Sequence, residues 1–248
     1  MRVAAIYDIH ANLPALEAVL AEIRQASVDR VVVGGDVVPG PMPRESIAAL
    51  TDYDLPIDFI HGNGESEILA ILAGAGPTAA VPTQSHDALR WVARNLSPEQ
   101  DRLLAEWPLT HRLDVPRVGS VLFCHATPRN DTDIFTEATP EERLRPIFEG
   151  VEADLIVCGH THMQFDRLIG GVRVVNAGSV GMPFGRAGAY WLLLGPDVEL
   201  RQTSYDLVAA AERVRLTDYP AASEFADGHI LAPPLEAEMI ALCERSAI

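Results

Sequence analysis

The sequence predicts an α/β fold built around parallel strands. Three observations predict it. The chain opens with a strand–helix–strand pattern, its second half turns strand-rich, and chemically capable polar residues recur where the strands end.

Val3 to Tyr7 is a short apolar run that stops at Asp8, the pattern of a buried strand. Leu13, Leu16, Val19, Leu20 and Ile23 recur at helical spacing, and Pro14 suits the first turn of that helix. Arg30 to Val33 is a second buried strand, ending at Gly34-Gly35-Asp36. Such a unit favours a parallel strand pair. A third strand over about 57–60 ends at Gly62-Asn63. Helical patterns follow near 66–72 and 85–96, and Ser97-Pro98-Glu99 reads as the cap, first-position proline and first-turn acid of another helix. Strands are then expected at about 112–115, 120–124, 155–158, 165–169, 172–176, 189–194 and 198–204, with Gly170-Gly171 as a tight hairpin turn. From Tyr205 an Ala-rich helical pattern runs to a break at Pro233-Pro234, and a final helix runs to about Glu244. No linker divides the chain. It reads as one domain over 1–248, with a core to about residue 204 and a helical tail over about 205–248. The tail pattern is compatible with packing on the core, covering a site or joining a partner.

Composition narrows the function classes. At 248 residues the chain can bury a real core, and 48% hydrophobic with 22% charged residues is ordinary globular composition. No apolar run approaches the roughly 20 residues of a bilayer span, and the first residues lack the pattern of a secretory signal, so a cytoplasmic protein is expected. The three cysteines, Cys124, Cys158 and Cys243, have neither disulfide nor zinc-finger spacing. A net charge of −16 argues against a groove for long nucleic acid. It leaves room for a small phosphate ester held through cations, because local charge governs there.

Asp8 and His10 follow the first strand, Asp36 the second, Asn63 the third, His125 a later one, and His160 and His162 the next. Ligands of open α/β sheets sit at the carboxyl ends of the strands, so five loops bring seven donors to one rim. Two carboxylates, one amide oxygen and four imidazoles suit Mn, Fe, Zn or Ni better than an all-oxygen Ca or Mg cage. Two divalent cations against two carboxylates leave a local positive charge for a phosphate, and such a pair can clamp the attacking and leaving oxygens.

Together Asp8-Ile9-His10, Gly35-Asp36, Gly62-Asn63, His125 and Gly159-His160-Thr161-His162 resemble the calcineurin-like metallophosphoesterase superfamily. The stretches from Asp8 to Leu16 and from Asn176 to Gly181 resemble segments of its compact bacterial and archaeal phosphodiesterase-like branch. The likeness runs from about Arg2 to Ser204. It implies a four-layer α/β/β/α sandwich of two mixed sheets, with two divalent metals at its edge. One metal would be held by Asp8, His10 and His162, the other by Asn63, His125 and His160, with Asp36 bridging. A bridging hydroxide would then attack phosphorus in line.

The chain departs from this pattern at one point. Many members carry His after the Gly-Asn pair, to protonate the leaving oxygen; here the position is Gly64. His61 and Glu65 are the nearby candidates for that catalytic role, and His86 is a more distant one. Asn12 is read either as a substrate contact or as a helix cap, and Arg186, with Arg44 and Arg129, as an arginine able to reach the rim. Cys124 and Cys158 precede ligand histidines on strands and so should face away from the site. His111 and His229 have no motif around them and read as ordinary residues. The expected function is dimetal hydrolysis of a small phosphate ester, a phosphodiester or phosphomonoester. The alternatives are a phosphoesterase-fold binding or scaffold module, and a protein phosphatase or dinucleoside polyphosphatase.

Overall fold

The computed structural model describes residues 1–78 and 81–248. In chain order the elements begin β1 (Val3–Ile6), α1 (Leu13–Gln25), β2 (Arg30–Gly34), α2 (Pro43–Thr51), β3 (Ile57–Ile60) and α3 (Asn63–Leu72). A short 3-10 turn over Thr83–Ser85 leads into α4 (His86–Asn95) and α5 (Pro98–Glu106). Then come β4 (Thr110–Val115), β5 (Gly119–Cys124), α6 (Glu141–Phe148), β6 (Leu155–Cys158), β7 (Phe165–Ile169), β8 (Val172–Asn176), β9 (Ala189–Leu194) and β10 (Val198–Thr203). The tail holds α7 (Leu207–Arg215), α8 (Ala222–Phe225), a π-helical turn over Ala226–Leu231, and α9 (Glu236–Cys243).

Among the described residues the strands form two five-stranded mixed sheets, ordered β10-β9-β1-β2-β3 and β4-β5-β6-β8-β7. β1, β2 and β3 are parallel, as are β5, β6 and β8, with antiparallel strands added at the sides. The apolar residues divide by strand alternation into three cores. Val3, Ala5, Tyr7 and Val32 point between the sheets, against Phe123, Val157 and Val175. Ala4, Ile6, Val31 and Val33 point to the outer side, against Leu16, Val19 and Ile23 of α1. On the other outer side Leu122, Cys124, Ile156 and Cys158 meet Leu144 and Phe148 of α6. The result is the expected α/β/β/α sandwich. Burial on both faces explains why β1, β2 and β6 read as continuous apolar runs. Both thiols lie in the outer core, away from the rim, and burial pushes the Cys124 thiol up.

Two helices had no clear sequence pattern. α2 buries Pro43, Ser46, Ile47 and Leu50, too short a stripe to stand out. α6 carries Pro146 inside it, a residue that reads as a helix breaker, and its burial rests on Leu144 and Phe148. The helix expected from residue 66 starts earlier, at Asn63, because Glu65 ties back to the Gly62 amide.

The tail crosses the carboxyl end of the sandwich rather than hanging from it. Ala210, Val214, Phe225 and Ile230 enter the core behind the first sheet. Gly185 then donates from its amide to the Pro234 carbonyl at 2.8 Å. At the far end Glu244 accepts from Thr136 Oγ1 at 2.7 Å and from Thr139, and Ile248 donates from its amide to Ile134 at 3.1 Å.

Candidate metal centre

The loops after the parallel strands are laced to each other by backbone hydrogen bonds. Asp8 donates from its amide to Gly35 at 3.1 Å, His10 to Asp36 at 2.9 Å, and Gly159 to His125 at 2.8 Å. The segment from Asn176 to Gly181 binds two more loops together. Asn176 Nδ2 donates to the Gly159 carbonyl at 2.6 Å, while Ser179 Oγ donates to the Asp8 carbonyl at 2.8 Å and Gly181 donates to it from its amide at 3.0 Å. These contacts force unusual backbone. Asp8, His10, Asp36, His160 and His162 have φ of 53°, 48°, 51°, 66° and 60°. Left-handed backbone costs non-glycine residues of order 1 kcal/mol each and collects at functional sites.

The side chains converge. Asp8, His10 and His162 form one set of donor atoms, and Asp8, Asp36 and His125 another, each with its atoms within 4.8 Å of one another. Asp8 Oδ1 lies 3.5 Å from His162 Nε2 and 3.8 Å from His125 Nε2. Asp36 places Oδ1 3.5 Å from His125 Nε2 and Oδ2 3.8 Å from His10 Nε2. Both carboxylates therefore span the two sides, Asp8 as well as Asp36, for which the family resemblance implies a bridging place. Asn63 Oδ1 is 3.1 Å from His125 Nε2. His160 stands beside this set, its ring centroid 5.1 Å from that of His125 and its amide donating to Asp8 Oδ2 at 2.9 Å.

The imidazoles are held with one nitrogen outward. Nδ1 of His125 faces the Gly34 carbonyl at 2.9 Å, that of His162 the Met182 carbonyl at 2.7 Å, and that of His10 the Pro39 carbonyl at 3.3 Å. A carbonyl only accepts, so each Nδ1 carries the proton and each Nε2 turns a lone pair to the centre. His10 and His162 thus set two lone pairs 3.1 Å apart, and His125 faces the Asn63 oxygen at the same distance. Asp8 Oδ1 is buried among them without a hydrogen-bond partner. Converging acceptors with no donor between them are the arrangement a cation satisfies, and the nitrogen and oxygen donor set fits a divalent transition metal.

Burial opposes charge on His162, but the Asp8 and Asp36 carboxylates outweigh it and raise its pKa, so the carboxylates draw positive charge to this position. Burial opposes charge on Asp8, but His162, His125 and His10 outweigh it and hold the carboxyl below the usual range. Burial and the Asp8 charge push Asp36 well above it. Burial and facing imidazoles lower His10 and His160 to about 3, which leaves them neutral ligands.

The remaining candidates fall in different places. Gly64 has no room for a side chain: a Cβ would lie 2.3 Å from the Val38 carbonyl oxygen and 2.9 Å from Asp36 Oδ1. The Gly64 amide instead donates to Asp36 Oδ1 at 2.7 Å. Glu65 is fully buried behind the rim, accepting from the amides of Asp36 and Gly62 at 2.8 Å and of Val38 at 3.0 Å. Burial and the Asp36 charge lift its pKa to about 8 against the pull of those amides. It shapes the Asp36 loop from behind and does not face the rim. His61 sits beside the centre, its Nδ1 3.3 Å from Ser66 Oγ and 3.8 Å from Asp131. Asn12 is the cap and not a surface contact: fully buried, it accepts from the Ala15 amide and donates to the Gly181 carbonyl at 2.9 Å. Arg186 is exposed and lines a cleft that also contains His162. Arg129 is paired to Asp133, and His86 faces the Val81 carbonyl at 3.1 Å. His229, read from sequence as ordinary, lines a cavity with His10 and Met182. No motif surrounds it, and only the fold brings it there.

Known proteins share this architecture. Over 234 residues the chain is 26% identical to an uncharacterized protein of Methanocaldococcus jannaschii, covering 86% of this chain and 91% of that one. The crystal structure of a hypothetical protein from Pyrococcus horikoshii OT3 superposes with a TM-score of 0.77 at 21% identity, covering 94% of this chain and 99% of the other. That of a metallophosphoesterase from Sphaerobacter thermophilus gives 0.73 at 24% identity, covering 94% and 98%. The calcineurin-like phosphoesterase superfamily domain matches residues 1–195, the stretch that supplies every residue of the two donor sets. The chain belongs to the calcineurin-like phosphoesterase superfamily.

Proposed function

We propose that this chain is a dimetal hydrolase of small phosphate esters, a phosphodiesterase or phosphatase. The observation that carries the reading is the pair of overlapping donor sets with their imidazole protons turned outward. Asp8, His10 and His162 would hold one divalent cation, and Asn63, His125 and His160 the other, with Asp36 and Asp8 reaching both. Mn, Fe, Zn and Ni all suit these donors. Bound cations supply charge neutralisation at the phosphoryl oxygens and lower the pKa of water.

The protein's own groups do the rest. The Gly34, Pro39 and Met182 carbonyls orient the imidazoles, and the Gly64 amide orients Asp36. Two carboxylates and neutral imidazoles repel or ignore a phosphate unless cations stand among them, so substrate binding itself requires metal. A phosphoesterase fold kept only for binding is the second reading, and Gly64 favours it, because the position lacks an acid and the loop at Val38 fills the space.

Chelation followed by add-back of Mn, Ni or Zn, with bis-nitrophenyl phosphate and nitrophenyl phosphate as substrates, separates the two. Metal-dependent turnover of either ester supports the hydrolase. Two bound cations without turnover of either would establish the binding module.

A further inference from the structure

The tail contributes to a cavity of about 230 Å³ that opens beside the rim. His10 and Pro39 line its inner end together with Met182, whose carbonyl holds His162. One wall is apolar and aromatic, with Leu89, Tyr219 and Phe225. Tyr219 packs edge-on to both Trp91 and Phe225, and Phe225 leads on to His229 at 5.4 Å between ring centroids. This aromatic row ends at His229, in the cavity that His10 also lines.

His229 is the unusual member. It sits in a π-helical turn, a rare geometry frequent at functional sites. Its Nδ1 is buried with no hydrogen-bond partner. A proton on that nitrogen would be an orphaned buried donor, which is rarer and costlier than an under-used acceptor, so the proton belongs on Nε2. His229 and His10 line the same cavity.

We propose that the tail completes the substrate site: the cavity takes an uncharged aromatic substituent of the ester against Tyr219 and Phe225, and His229 donates a hydrogen bond to a phosphoryl oxygen where the cavity meets the rim. The inference rests on the phosphoesterase reading above. The cavity is smaller than the roughly 300–1,000 Å³ of sites that enclose a whole drug-sized ligand, so it holds one substituent and not a chain. Among the described residues its lining contains Glu224 and neither Lys nor Arg, which disfavours a second phosphate, and the aromatic wall favours an apolar group. His229 also stands in a different place from the slot that Gly64 closes. A donor excluded from α3 is supplied here by the tail.

Calorimetry of the full chain loaded with Mn, using phenylphosphonate and methylphosphonate as non-hydrolysable probes, tests this. Phenylphosphonate should bind about tenfold more tightly, the size of one aromatic contact. Tyr219→Leu, which keeps apolar bulk, should remove that preference and leave methylphosphonate unchanged. His229→Ala should weaken both probes by about tenfold, the worth of one hydrogen bond to a charged group, and His229→Gln, which keeps a donor, should recover most of it. Equal binding of both probes to the protein with two Mn per chain would overturn the aromatic subsite while leaving the phosphoesterase reading in place. A His229→Ala protein that binds both probes normally would overturn the hydrogen bond. No Mn and no phosphonate bound would end both readings together.

Discussion

The rim of the sandwich and the tail that crosses it are built on opposite principles. The rim is over-determined. Its loops are stitched by backbone hydrogen bonds, five of its residues are held in left-handed backbone, and Glu65 braces it from behind with three amides. The tail is attached at separated points: Phe225 and Ile230 in the core, Pro234 at Gly185, and Glu244 at Thr136. The proposed metal chemistry, which needs donors placed to a fraction of an ångström, belongs to the stitched region. The contact that selects a substituent occupies the strapped one. The same division separates the family match, which ends at residue 195, from the tail beyond it.

Substitutions should therefore act differently in the two regions, and four in the rim measure how rigid it is. The largest effect is expected from Asp36→Asn, which removes a carboxylate reaching both donor sets. Loss of several kcal/mol of charge stabilisation predicts a fall in turnover of about 10³-fold or more, and mass spectrometry of the native protein should show metal lost. Unchanged metal content with full activity would break the contrast with the tail.

Glu65→Ala should come next. It leaves three buried amides unpaired at about 1–3 kcal/mol each, so denaturant unfolding should register at least about 3 kcal/mol. A loss near zero would mean that the rim is not braced in this way.

Gly64→His introduces the residue that the family resemblance leads one to expect there, yet its Cβ would meet the Val38 carbonyl. Overpacking predicts about 1–3 kcal/mol of destabilisation and no gain in turnover. A gain would show that the Val38 loop yields and that the slot is still usable. Asn12→Ala removes both the α1 cap and the bond to the Gly181 carbonyl, a loss of about 1–3 kcal/mol by thermal unfolding, with phosphonate binding unchanged.

The sandwich was legible because its signals are local. Doubly buried strands read as apolar runs, and each donor follows one of them, so Asp8, Asp36, Asn63, His125 and His160 could be named from position alone. What sequence could not resolve depends on packing between distant segments. Whether Asn12 meets substrate or caps α1 turns on Gly181, which is 169 residues away. Glu65 looked like a proton donor because it neighbours Asn63, but its carboxylate turns back to the loop that carries Asp36. Gly64 read as a missing acid, whereas the structure makes it a steric requirement of the Val38 loop. His229 had no motif to mark it, since its position comes from the burial of Phe225 and Ile230 on either side.

We propose that the rim binds two cations through seven side chains, Asp8, His10, Asp36, Asn63, His125, His160 and His162. Anomalous diffraction from crystals grown with Mn tests it most directly. Two anomalous peaks per chain are expected, one contacted by His10 and His162, the other by Asn63, His125 and His160, with Asp36 and Asp8 reaching both. A single peak, or none at the rim, would contradict it.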